Sequence, residues 1–152
     1  ISVGLSKIEE LDLHLKAISL LDDVDTILPD IQRNLEVEAE LLLGHDWLTS
    51  WHIGLPDWTE TPGKINLPIL LWLHNLIHAW DMEDYAKARY GILGQAGHWF
   101  PGNNADSFDR EVTEIDIRSV LTNSPWVDSI PEILRDLKRR IGGQERRRLW
   151  GE

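Results

Sequence analysis

The stretch Leu67–Trp80, LPILLWLHNLIHAW, decides the fold. Its length and its apolar content predict a helix, capped at the start by Asn66. Stepped at about 100° per residue, Ile69, Leu70, Trp72, Leu73, Leu76, Ile77, Ala79 and Trp80 fill roughly half of the circumference. His74, Asn75 and His78 share the other half, with Leu67 and Leu71 between them. This places the imidazoles on the more polar face as a solvated pair, beside two leucines that ask for cover from another helix or a second subunit. The run falls short of the ~20 residues needed to span a bilayer and is interrupted by Pro68, His74, Asn75 and His78, so no membrane span is expected.

Helical periods continue on either side. Ser6 and Glu9 have the spacing of a capping box, and Ile8, Leu11, Leu15 and Ile18 recur at helical intervals, which predicts a first helix over about Lys7–Leu21. Pro29 suits the first position of a second helix, with Ile31, Leu35, Ala39 and Leu42 on one face, running through Gly44 as far as Trp51. Within it LEVEAEL also alternates like a strand, but Glu, Leu and Ala favour helix and the longer period is helical. GLPDWTETPGK is a loop, and so is GHWFPGNNADS. Asp81–Gln95 predicts a fourth helix and Thr113–Thr122 a fifth. A last helix follows over Pro131–Ile141, stopped by Gly142 and Gly143. The expected fold is an all-α compact bundle of five or six helices with short loops over residues 1–141, followed by a basic tail at 142–152.

Composition narrows the classes of function. At 152 residues and 42% hydrophobic the chain is the size of one domain, and with no cysteine it has no disulfide, thiolate zinc site or cysteine nucleophile. A cytoplasmic protein is the simplest expectation. Ile1 in place of Met implies trimming or renumbering, so an earlier leader is not excluded. The net charge is −11, yet residues 131–152 hold seven of the fifteen Lys and Arg against only four of the twenty-six acids. The body therefore repels nucleic acid and anionic membranes, while the tail suits an anionic contact. Of eight tryptophans, most are expected in the core. Trp150, in the charged tail, is the one placed to anchor in another molecule.

His45-Asp46 at the end of the apolar segment LLLGHDW, with His14 upstream and Asp106 and Asp109 downstream, form an ordered series. His, then His-Asp, then Asp in a helical chain resembles the HD-domain phosphohydrolases. That resemblance implies a divalent metal held by His14, His45, Asp46 and either Asp106 or Asp109, polarising a phosphate and activating a water. It covers four positions of the chain, and no basic cluster for a substrate phosphate lies near them. Without metal, Asp106 and Asp109 read as turn and cap residues. His74 and His78, four apart, have zinc-chelating spacing but lack the Glu of a metalloprotease motif. GILGQAG is no phosphate loop, and no G-x-S-x-G elbow occurs.

The tail PEILRDLKRRIGGQERRRLWGE adds a final amphipathic helix and an Arg-rich end. One reading has Arg135, Lys138, Arg139 and Arg140 presented to nucleic acid, which the acidic body opposes. The reading preferred is a non-catalytic helical adaptor or assembly protein without a cofactor. It acts through protein–protein contacts or self-association. Its contact surfaces are expected at Leu67, Leu71, His74 and His78, and at Arg139, Arg140, Arg146, Arg147, Arg148 and Trp150. The HD-type phosphohydrolase is the alternative, and a nucleic-acid accessory protein the third.

Overall fold

A computed structural model describes residues 7–19, 21–95 and 99–143; Ser6 and the tail residues Arg146, Arg147, Arg148 and Trp150 lie outside the described residues. The described chain is all-α. Its helices are α1 (Glu10–Ser19), α2 (Val24–Leu43), α3 (His45–Ser50), α4 (Leu67–Trp80), α5 (Glu83–Ile92), α6 (Glu114–Val120) and α7 (Ile130–Ile141), with short 3₁₀ turns at Leu21–Asp23, Pro62–Lys64 and Ala105–Ser107. Among the described residues there is no strand, only isolated bridges that pair Ile65 with Asn103 and Phe108 with Val112.

Most helix ends fall one to three residues from the sequence expectation, and the two larger differences have local reasons. Gly44 adopts φ +84°, a conformation natural to glycine, and divides the expected long second helix into α2 and α3. Seven helices result where five or six were expected. The second helix also starts before Pro29, at Val24, and carries the proline inside it. Asp25 in the first turn suits the helix N-terminus. Pro29 then costs one backbone hydrogen bond, to the Asp25 carbonyl.

The chain divides into two units, Ile1–Val37 and Glu38–Glu152. The first contains α1 and the start of α2, and none of its described residues is buried. The second has a hydrophobic core built around α4. Asn66 caps that helix, its side chain accepting from the Ile69 amide at 3.1 Å. Pro68 sits in the first turn, where a missing N–H removes no helical bond. Asp81, at φ 51°, turns the chain out at the C-terminus, its amide bonding back to the Ile77 carbonyl.

α4 packs on α5 and α7, and α7 also meets α5, α6 and the turn Ala105–Ser107. Leu67, Leu70, Leu71 and Leu73 are completely buried, although they point to different sides of the helix. A helix that is apolar nearly all round becomes the centre of its unit, not a wall of it. α7 is the amphipathic counterpart: Ile130, Leu134, Leu137 and Ile141 face the core, while Lys138, Arg139 and Arg140 occupy its last turn, where cations suit the helix dipole. Thr113 and Asp116 form a reciprocal capping box at the start of α6. No helix among the described residues is long and apolar enough to cross a membrane.

Candidate functional site

The central position of α4 corrects the expected solvated face. Leu67 and Leu71 are fully buried, so the cover that the sequence asked for comes from this chain and they offer no contact surface. Asn75 is buried too, its amide oxygen accepting from Trp47 Nε1 of α3 at 2.6 Å. The Trp47 ring also stands edge-on to His74, with centroids 5.6 Å apart, and against Trp126 at 5.1 Å. Trp126 is fixed in turn by a 2.9 Å hydrogen bond from its Nε1 to Ser50 Oγ. Together these rings wall a cleft of about 440 Å³ whose lining includes His45, Asp46, His74, His78 and Ile133.

His74 and His78 stack one turn apart on α4, ring centroids 4.3 Å from each other. α7 brings Asp136 alongside, with Oδ2 3.6 Å from His78 Nε2. Neither His74 Nδ1 nor His78 Nε2 has a hydrogen-bond partner, though both atoms are shielded from solvent. Burial, the neighbouring His78 ring and Arg140 push the His74 pKa down to about 4 against the opposing pull of Asp136, so that this imidazole is neutral near pH 7. Arg140 Nε also bonds that same Oδ2 of Asp136, at 3.0 Å, while Arg139 pairs with Oδ1. Burial alone would raise its pKa, but Arg140 and Arg139 outweigh that and keep it below the ordinary carboxylate value. Among the described residues, His74, His78 and Asp136 are the group whose donor atoms converge, all within 4.8 Å of one another.

Within the second unit, the residues carried by the HD resemblance, His45, Asp46, Asp106 and Asp109, form no convergent group among the described residues. His45 pairs with Glu40 through Nδ1 at 3.1 Å on an exposed surface. Asp106 accepts from the Tyr90 hydroxyl at 2.7 Å, an arrangement in which burial and then the carboxylate push the tyrosine pKa well up. Asp109 accepts from Arg135 Nε at 3.0 Å. Asp46 is exposed at the start of α3, and His14 lies on α1 in the other unit. Asp136 was the residue that sequence reading missed. Nothing in its own neighbourhood marks it, since only the packing of α7 on α4 brings it to the histidines.

The cations of α7 are matched within the chain. Arg135 bonds Asp109, Glu114 and Glu132, Lys138 Nζ donates to the Phe108 carbonyl at 2.5 Å, Arg139 pairs with Asp136, and Arg140 joins Asp136 and Glu83. They form a web of ion pairs that ties α7 to its neighbours. Compared with known proteins, the chain matches no family model, no curated protein and no solved structure.

The apolar surface of the N-terminal unit is a second feature of functional interest. On α1, Leu11, Leu15 and Ile18 are exposed, and on α2 so are Val24, Leu28, Ile31 and Leu35. Their spacings are four and three on α1, and four, three and four on α2. This is the alternation of a coiled-coil seam.

Proposed function

We propose that the chain is a non-catalytic interaction protein whose N-terminal helices pair with those of a second copy. The observation that carries this is the alternating three-and-four seam of α1 and α2 in a unit none of whose described residues is buried. Helices of this length are marginal alone in water and take their stability from packing an apolar face. A seam of period 3.5 is the pattern that another helix fills, knob into hole.

A second copy suits the flanks of the seam. Beside it on α2 lie Ile27, Gln32 and Asn34, all uncharged, with Asp25 alone to repel its counterpart. Burying a Leu or Ile is worth roughly 1.5–3 kcal/mol. Seven seam residues from each copy, partly shielded already, oppose an association cost of about 4–15 kcal/mol. A cytoplasmic location goes with this reading, because the composition asks for no oxidising compartment.

Sedimentation velocity on the full chain tests it. The expected result is a concentration-dependent dimer that Leu28→Glu with Ile31→Glu converts to a monomer, while thermal unfolding of the second unit is unchanged. A wild-type chain that stays monomeric to hundreds of micromolar ends the proposal.

A further inference from the structure

We propose that His74, His78 and Asp136 form a binding site for one divalent transition-metal ion of the zinc class. The inference is independent of the self-association reading and stands on the geometry of the second unit. α4 contributes two imidazoles at the four-residue spacing that lets both reach one ion, and α7 contributes a carboxylate. Around a zinc ion with bonds of about 2.0–2.2 Å, tetrahedral donors lie about 3.4 Å apart. His78 Nε2 and Asp136 Oδ2, at 3.6 Å, already have nearly that separation, and the whole set falls within 4.8 Å.

The strongest indication is the unmet demand of the imidazoles. Buried polar nitrogens almost always find a partner, and leaving one without costs about 1–3 kcal/mol. Here His74 Nδ1 and His78 Nε2 are both shielded and neither has a hydrogen-bond partner, with Asp136 Oδ2 standing 3.6 Å from His78 Nε2. A cation between them and Asp136 satisfies both nitrogens at once.

The surroundings suit a ligand set. Arg139 bonds Asp136 Oδ1 and fixes the carboxylate's orientation, as a partner behind a metal-bound carboxylate does, while Arg140 shares Oδ2, the oxygen that faces His78. Trp47 packs against the His74 ring and sets its angle. The two guanidinium groups also oppose a cation, so the ion must gain from imidazole coordination, not from charge alone. Imidazole with carboxylate favours zinc, cobalt, nickel or iron(II) over magnesium or calcium, which prefer oxygen donors throughout. The protein supplies three donors, and both imidazoles line the cleft, where water completes the coordination.

Equilibrium dialysis of the full chain, stripped with chelator and then titrated with Zn²⁺ or Co²⁺, tests the site. One ion per chain is expected, with at least tenfold weaker binding in His78→Ala and in Asp136→Asn and unchanged binding in His14→Ala and His52→Ala. Mg²⁺ at the same concentration should not compete. Because a buried variant can lose its fold, the Co²⁺ complex of the wild-type chain provides a second readout. Paramagnetically shifted proton resonances from two imidazoles, assigned to His74 and His78, are expected. No binding at about 100 μM metal, binding that survives both ligand substitutions in folded protein, or shifted resonances from other histidines overturns the assignment.

Discussion

Trp47 Nε1 and Asn75 Oδ1 share a buried hydrogen bond of 2.6 Å that joins α3 to the central helix across 28 residues of sequence. The bond gives Asn75 a reason to be inside the core and holds the indole that walls the cleft. Asn75→Leu keeps the volume but strands the indole N–H, at a cost of about 1–3 kcal/mol in urea unfolding. Adding Trp47→Phe removes the stranded donor. The double variant should therefore be more stable than the sum of the two single effects, by about 1 kcal/mol. Strict additivity would mean that the bond contributes nothing.

The helical architecture was legible from the sequence because apolar period and capping chemistry agree along most of the chain. Asn66 starts α4, and Gly142 follows Ile141 at the end of α7, where they were expected. The split at Gly44 was not legible, since an isolated glycine inside a helical run can be tolerated at a cost of about 1 kcal/mol. The cleft was missed for a different reason. A helical wheel assigns His74, Asn75 and His78 to a face but cannot say that α3 and α7 will cover it. The apolar content of the whole of α4 was the available clue, because a helix with leucines on both arcs has no side to give to water.

Association of the N-terminal seams should strengthen with salt. The chain carries a net charge of −11, so two copies repel each other, whereas the contact itself is apolar. Raising sodium chloride from about 0.02 M to about 0.3 M shortens the screening length severalfold and relieves that repulsion. Sedimentation equilibrium at the two salt concentrations should show a lower dissociation constant at the higher one. Weakening by salt would point to a charged interface in place of the seam.

Arg135 should stabilise the protein in a pH-dependent way. Its hydrogen bond to Glu114, followed by that of Arg118, holds the Glu114 pKa below its ordinary value of 4.5. A depressed carboxylate contributes stability that is fully present above the unfolded value and is lost as pH falls through the lower folded value. The melting temperature of Arg135→Gln should therefore lie below that of wild type at neutral pH, and the gap should narrow as pH falls below about 4.5. Some difference persists in acid, because Arg135 also lies over the Phe108 ring at 5.4 Å, a contact that does not titrate with Glu114. A gap of constant size from neutral pH down to about pH 3 would show that stacking alone explains Arg135.

Gly54 and Gly44 separate backbone strain from packing. Both have positive φ, +71° and +84°, and Gly44 with ψ 146° lies close to the extended positive-φ region reserved for glycine, where backbone strain for alanine is about 1–3 kcal/mol. A Cβ at Gly44 meets nothing within 4 Å, whereas one at Gly54 lies 2.3 Å from the Asn123 carbonyl oxygen and 2.4 Å from its carbon. These are backbone atoms, which cannot rotate away, so Gly54→Ala must push apart the turn after α3 and the chain that follows α6. Gly44→Ala should lose only the conformational term. Gly54→Ala should lose at least about 1–3 kcal/mol more, the usual cost of forcing extra volume into a packed site. Urea unfolding of the two variants reads the difference directly, and equal losses would mean that the approach of Asn123 to Gly54 is looser in solution than in the structure.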